Sequence, residues 1–136
     1  VKWGKGIDFN EAYVLRILTI DDSETTRSKI KMIFEKYGHQ VFEANSGIHA
    51  HDVLRHDPSF DLIICDINMP DMDGEQFVRG QDEDETLKKI PTVICSSHLE
   101  EKLAETLKCY SCVKGWLNKP VTEKKVKSLL FKFGDV

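Results

Sequence analysis

Two rhythms alternate along this chain, and the switch between them recurs five times. Short apolar runs give way to stretches in which apolar residues return every three or four positions. Leu15–Ile20 is the first run and predicts a strand. Beyond it, Ile30, Ile33, Phe34 and Tyr37 stand at i, i+3, i+4 and i+7. That spacing predicts a helix with one apolar face, capped by Ser23 or a neighbouring polar residue and stopped at Gly38. Gln40–Ala44 predicts a second strand, and Ser46–Arg55 a second helix with Ala50, Val53 and Leu54 inward, ended near Pro58. Phe60–Cys65 is nearly continuous in apolar character, which suits a strand buried on both faces. A third helix starts over Glu75–Arg79. Thr92–Cys95 predicts the fourth strand, and Leu99, Leu103 and Leu107 mark the fourth helix. Trp116–Asn118 predicts the fifth strand, and Val126, Leu129, Leu130 and Phe133 form the stripe of the last helix.

Strand and helix in strict alternation call for an α/β domain: a doubly wound, five-stranded parallel sheet with helices on both faces. A parallel sheet gathers the C-terminal ends of its strands onto one rim. Asp21 and Asp22 follow the first strand, Asp66 closes the third, Ser96 follows the fourth, and Lys119-Pro120 follows the fifth. Three carboxylates, a hydroxyl and an ammonium therefore belong to one rim. Carboxylates so close repel unless a positive charge sits among them, and Mg²⁺ with its preference for oxygen ligands supplies one. An Asp in such a place can act as a nucleophile and form an aspartyl phosphate. Lys119 and the Ser96 hydroxyl can then pair with phosphoryl oxygens.

Composition narrows this reading. The 136 residues fit one domain with a sizeable core, and 40% hydrophobic against 31% charged residues is ordinary for a globular protein. A formal charge of -4 argues against non-specific nucleic-acid binding. No apolar stretch approaches a membrane span, and the polar Val1–Asn10 segment is no signal peptide, so a cytoplasmic location is expected. A first residue other than Met points to a piece of a longer chain. Cys65 and Cys95 read as small core residues. Cys109 and Cys112 form a C-x-x-C without a second ligand pair, and all four are expected to be reduced thiols. Asp82–Glu85 reads as a solvated acidic stretch rather than a calcium loop, and His49 and His51 as surface residues. Residues 1–13, with Trp3, Phe9 and Tyr13, are a linker or an extension packed on a domain spanning 14–136.

Taken together, Ile20-Asp21-Asp22, the run from Cys65-Asp66 through Asn68-Met69-Pro70 to Asp73-Gly74, Pro91 through Ser97, and Gly115 through Lys119-Pro120 resemble a known family. It is the receiver domain of bacterial-type two-component response regulators, and the likeness runs from about Tyr13 to Phe133. The resemblance implies a flavodoxin-like (βα)5 fold with strand order 2-1-3-4-5, for which a member of this family is itself a standard example. It implies Asp66 as phosphoacceptor, with Mg²⁺ held by Asp22, Asp66 and the Asn68 backbone carbonyl, and by Asp21 mainly through water. Ser96 would be the hydroxyl that moves to the phosphoryl group, and Lys119 its charge partner. Trp116 stands where Tyr or Phe is usual as the aromatic switch, and its bulk opposes inward rotation. Cys112-Val113 replaces a common Gly-Ala pair, so the fourth helix is expected to end differently. His98, two residues past Ser96, is a candidate for influencing dephosphorylation. The Lys119–Pro120 bond is expected to be cis.

The implied function is a phosphorelay switch rather than an enzyme, catalysing only its own phosphorylation and dephosphorylation. Its donor would be a sensor histidine kinase or a histidine phosphotransfer protein. Its downstream partner would be a protein met by the fourth helix, fifth strand and fifth helix, a face that also leaves a homodimer open. Direct nucleic-acid and membrane partners are not expected, nor a DNA-binding segment after the fifth helix. Two other readings stay open: a receiver-like interaction module that works without phosphate, and an aspartyl-phosphate phosphatase of the haloacid-dehalogenase type. The latter fits poorly with Asp21-Asp22 on the first strand and with the length of the chain.

Overall fold

The longest apolar runs become the middle of the sheet. In the computed structural model, which describes residues 2–3, 7–8 and 14–134, Leu62–Asp66 (β3) and Thr92–Ser96 (β4) are buried at every position. Arg16–Ile20 (β1) lies on the other side of β3, and Gln40–Ala44 (β2) and Val113–Asn118 (β5) are the edges, each exposing alternate positions. All neighbours pair in parallel, in the order β2-β1-β3-β4-β5. The expected order therefore holds. The register sets Ile20 beside Ala44 and Cys65, Asp66 beside Cys95, and Ser96 beside Asn118.

Four helices connect the strands and a fifth follows β5: Glu24–Lys36 (α1), Gly47–His56 (α2), Gly74–Asp82 (α3), Glu101–Leu107 (α4) and Glu123–Gly134 (α5). Their apolar sides bury two core layers, one on each face of the sheet. Leu18, Ile20, Ile63, Cys65, Leu54 and Phe77 belong to one layer; Ile17, Ile64, Val93, Phe34 and Val126 belong to the other. Full burial of one such side chain contributes about 1.5–3 kcal/mol, so the layers carry the fold. Lys2–Trp3 and Ile7–Asp8 form a separate short antiparallel pair. Phe9 and Tyr13 lie outside the described residues.

Local chemistry marks the helix ends. Ser23 caps α1 through Thr26 N–H, and Ser46 caps α2 through His49 N–H. Asp73 and Gln76 form a reciprocal capping box on α3. After α1, Gly38 adopts φ +87°, and the His39 and Gly38 N–H groups donate back to Phe34 and Glu35, a Schellman stop. α4 gives way at Lys108, at φ -64°, ψ -18°, to tight turns in which the Cys109 and Tyr110 N–H groups donate to Thr106 O and Leu107 O.

Some expected details change. Tyr37 does not face the core: it caps the end of α1, is exposed, and donates its hydroxyl to Glu123. The helical rhythm continued past the point where the backbone turned. Leu99 packs on the core from the loop before α4. β5 begins three residues earlier than its apolar pattern, because Val113 pairs with Thr92 across a register shift. His51 is no surface residue. It is half-buried between α2 and α3, its ring 4.6 Å from that of Phe77, while His49 is exposed. The side chain of Phe133 lies outside the described residues.

Candidate functional site

β1, β3 and β5 bring Asp21, Asp66 and Lys119 to one point above the sheet. Asp21 and Asp66 are 1% and 4% exposed. Lys119 Nζ lies 3.1 Å from Asp66 Oδ1 and 3.1 Å from Asp21 Oδ2. Asp22, one residue on, is exposed, and an oxygen of each of the three Asp residues can lie within 4.8 Å of the others. Lys119 arrives from a cis Lys119–Pro120 bond, as expected, and its N–H is fixed to Ser96 O at 3.0 Å.

The two oxygens of Asp66 differ. Oδ1 accepts from Ile67 N–H at 2.9 Å and from Lys119. Oδ2 accepts no hydrogen bond among the described residues. Burial raises the Asp66 carboxyl above its usual range, and the Asp21 charge adds to this against the pull of Lys119. Burial also opposes the Lys119 charge, but the neighbouring Asp21 and Asp66 carboxylates outweigh it, so its pKa is raised.

Asp21 is held from several sides. Its N–H donates to Ala44 O at 3.1 Å, and its Oδ1 accepts from Ser23 N–H at 2.9 Å. Its Oδ2 is buried and has the Lys119 charge nearby, yet no donor aligned for a hydrogen bond. A buried carboxylate oxygen without a donor is costly. Beside two further carboxylates, that orphan fits an acidic pocket made for a cation.

The loop after β3 is shaped around Asp66. Gly74 N–H donates to Ile67 O at 2.9 Å, and a Cβ on Gly74 would sit 2.5 Å from the Asp66 carbonyl oxygen. Only a glycine lets α3 start this close. Between these anchors Ile67 and Met69 are buried and Asn68 is exposed.

Ser96 and Trp116 complete the region. The Ser96 hydroxyl donates to His98 O at 2.8 Å and accepts from His98 N–H at 3.2 Å, so here it serves its own loop. Trp116 is half-buried on the core layer that includes Ile94 and Leu107. His98 is exposed. Cysteine chemistry does not enter: burial raises the Cys65 thiol, and pushes Cys95 and Cys112 up to about 12. All four cysteines are free.

Residues 17–131 match the family model described as the response regulator receiver domain. The chain belongs to that family. It is 35% identical to protein PilH of Pseudomonas aeruginosa over 112 residues, covering 80% of this chain and 88% of that one. It is 30% identical to a chemotaxis protein CheY homolog of Campylobacter jejuni over 118 residues, 85% and 89% of the two chains. The structure of the Vibrio cholerae chemotaxis protein CheY4 superposes with a TM-score of 0.81 at 26% identity, covering 89% of this chain and 99% of that one. The receiver domain of a histidine kinase from Syntrophus aciditrophicus gives 0.77 at 25% identity, over 88% and 89%. As a receiver domain the chain is a signalling module with an acidic pocket at the strand ends.

Two contacts of this pocket escaped the sequence. Arg27, on α1, donates from Nη1 to the Asp21 carbonyl oxygen at 2.6 Å. Its Nε donates to Glu43 of β2 at 3.1 Å. An arginine one turn into an amphipathic helix reads as a solvated side chain, so no local signal distinguishes it.

Proposed function

We propose that Asp66 accepts a phosphoryl group from a histidine kinase or histidine phosphotransfer protein and so switches the surface of this domain. The observation that carries this reading is the asymmetry of Asp66: a buried carboxylate with one oxygen pinned by Ile67 N–H and Lys119, and the other without a donor. The unpinned oxygen attacks phosphorus. The bond from phosphorus to the donor imidazole nitrogen breaks, its electron pair stays on nitrogen, and the ring takes a proton from solvent. Lys119 stays beside the accepting carboxylate and can balance one new phosphoryl oxygen. Ser96 exchanges its His98 backbone contacts for another phosphoryl oxygen. Mg²⁺ bound by Asp21, Asp22, Asp66 and the Asn68 carbonyl would neutralise charge on the transferring group. Hydrolysis regenerates the carboxylate, so the domain catalyses only its own phosphorylation and dephosphorylation.

The rearrangement of Ser96 is read by Trp116 and by the face of α4, β5 and α5, which meets a downstream protein or a second copy of the domain. Residues 14–136 form the receiver unit and 1–13 an appended segment. The setting is cytoplasmic; no helix among the described residues is long and apolar enough to cross a membrane.

The test is incubation with a small phosphodonor such as acetyl phosphate and Mg²⁺, read by intact mass. One stable phosphoryl group, absent in Asp66→Asn, is the expected result. No gain would favour a phosphate-independent module. Consumption of many equivalents without a stable adduct would favour a phosphatase.

A further inference from the structure

We propose that Arg27 is a positioning residue for the cation pocket, acting through the Asp21–Asp22 peptide. This rests on the reading of Asp21, Asp22 and Asp66 as cation ligands. The carbonyl that accepts from Arg27 Nη1 at 2.6 Å belongs to the peptide joining Asp21 to Asp22. Rotation of that peptide plane swings both carboxylates. The plane is fixed on its outer side by the guanidinium, while the preceding N–H is fixed by Ala44 O at 3.1 Å. The guanidinium is in turn aimed by Glu43, 3.1 Å from Nε, with Lys31 approaching the other Glu43 oxygen at 3.9 Å. A relay thus runs from edge strand β2 through Glu43 and Arg27 to the backbone of the pocket.

The residue type matters. Guanidinium is planar and offers donors in a fixed fork, so it can hold the Glu43 carboxylate and the Asp21 carbonyl together. Lysine at the same place keeps the charge but holds one direction only. The Arg27 side chain is 15% exposed, so the contact is partly shielded from water and salt. Asp22 accepts no hydrogen bond among the described residues. Its placement therefore depends on the backbone that Arg27 holds, whereas Asp21 has side-chain supports of its own.

Removing a group that orients metal ligands typically lowers metal affinity by about 10–100-fold. Mn²⁺ is the probe, because its paramagnetic resonance signal disappears on binding and reads affinity without phosphotransfer. Arg27→Gln is expected to weaken Mn²⁺ binding by about tenfold, Arg27→Lys to recover part of this, and Glu43→Gln to lose about threefold. In phosphorylation by a small phosphodonor, half-saturating Mg²⁺ should rise by the same factor, with the rate at saturating Mg²⁺ near that of the wild type. A merely structural role would lower Tm without that split. Wild-type Mn²⁺ affinity in folded Arg27→Gln overturns the inference. If that variant does not fold, wild-type affinity in both Arg27→Lys and Glu43→Gln overturns it. Wild-type protein that binds no Mn²⁺ overturns the cation reading and this inference together. Binding that is lost in Asp22→Asn but unchanged in the Arg27 variants overturns this inference alone.

Discussion

Two buried polar clusters sit at opposite ends of the sheet, and they are built on opposite terms. At the N-terminal end of β4, Gln81 is fully buried and donates from Nε2 to Leu87 O and Ile90 O, each at 3.0 Å. Its Oε1 accepts from the Thr92 hydroxyl at 2.9 Å. Each group in this neutral network has a partner. At the C-terminal end, Asp21 and Asp66 bring like charges together around one ammonium, Asp21 Oδ2 has no aligned donor, and Asp66 is held above its usual pKa first by burial. The first cluster ties α3 and the following turn to β4 and asks for nothing more. The second sets two buried carboxylates against a single ammonium. Polar burial that is complete serves the fold; polar burial left incomplete on a charged rim serves chemistry.

The largest stability effect should come from breaking the satisfied cluster. Gln81→Ala removes three hydrogen bonds from a buried network, leaving Leu87 O with Ile90 N–H and the Thr92 hydroxyl with Ile90 O at 3.4 Å, a loss of about 1–3 kcal/mol. Chemical denaturation should show it, while the folded fraction still takes up one phosphoryl group. If phosphorylation fails in the folded fraction, the two clusters are not separable.

The charged cluster should respond with the opposite sign. A carboxyl raised in the folded state contributes stability that is present below its unfolded pKa, near 3.8, and lost as pH rises through the folded value. At neutral pH Asp66 therefore opposes folding. Asp66→Asn should raise Tm in metal-free buffer by roughly a few degrees. Added Mg²⁺ should stabilise the wild type more than the variant. A lower Tm in Asp66→Asn would contradict the assignment of strain to this cluster.

The smallest effect separates both clusters from the α2–α3 contact. His51 is held below its usual pKa by burial and by Arg55, against Asp52 and Asp84. A depressed histidine gives stability that is present above its unfolded pKa of about 6.5 and lost as pH falls through the folded value. His39, depressed by burial against Asp61, acts in the same direction. His51→Phe should flatten the decline of Tm below about pH 6.5, with little change in phosphorylation at pH 7. An unaltered slope would remove His51 from this account.

The sheet was legible because its middle strands are unbroken apolar runs, and the acidic rim because Asp21 and Asp66 stand directly at strand ends. Position relative to a parallel strand is enough to place such residues together. Gln81, Arg27 and His51 were not legible. Each gains its meaning from a contact between elements distant in sequence: Gln81 with Thr92, Arg27 with Glu43, His51 with Phe77. A polar residue on a helix carries no local mark of which partner it will meet. Tyr37 failed for the converse reason: it keeps the apolar spacing, but as the C-cap just before the Gly38 turn it leaves the core face.

The central claim is that Asp66 is the atom-level acceptor among neighbouring carboxylates and a hydroxyl. Borohydride reduces an acyl phosphate to an alcohol and so marks the modified residue permanently. Wild-type protein treated with acetyl phosphate and Mg²⁺, reduced with borodeuteride and mapped by peptide mass spectrometry, should carry homoserine at position 66 alone. Label at Asp21 or Asp22, or a phosphate retained on Ser96, would contradict the account.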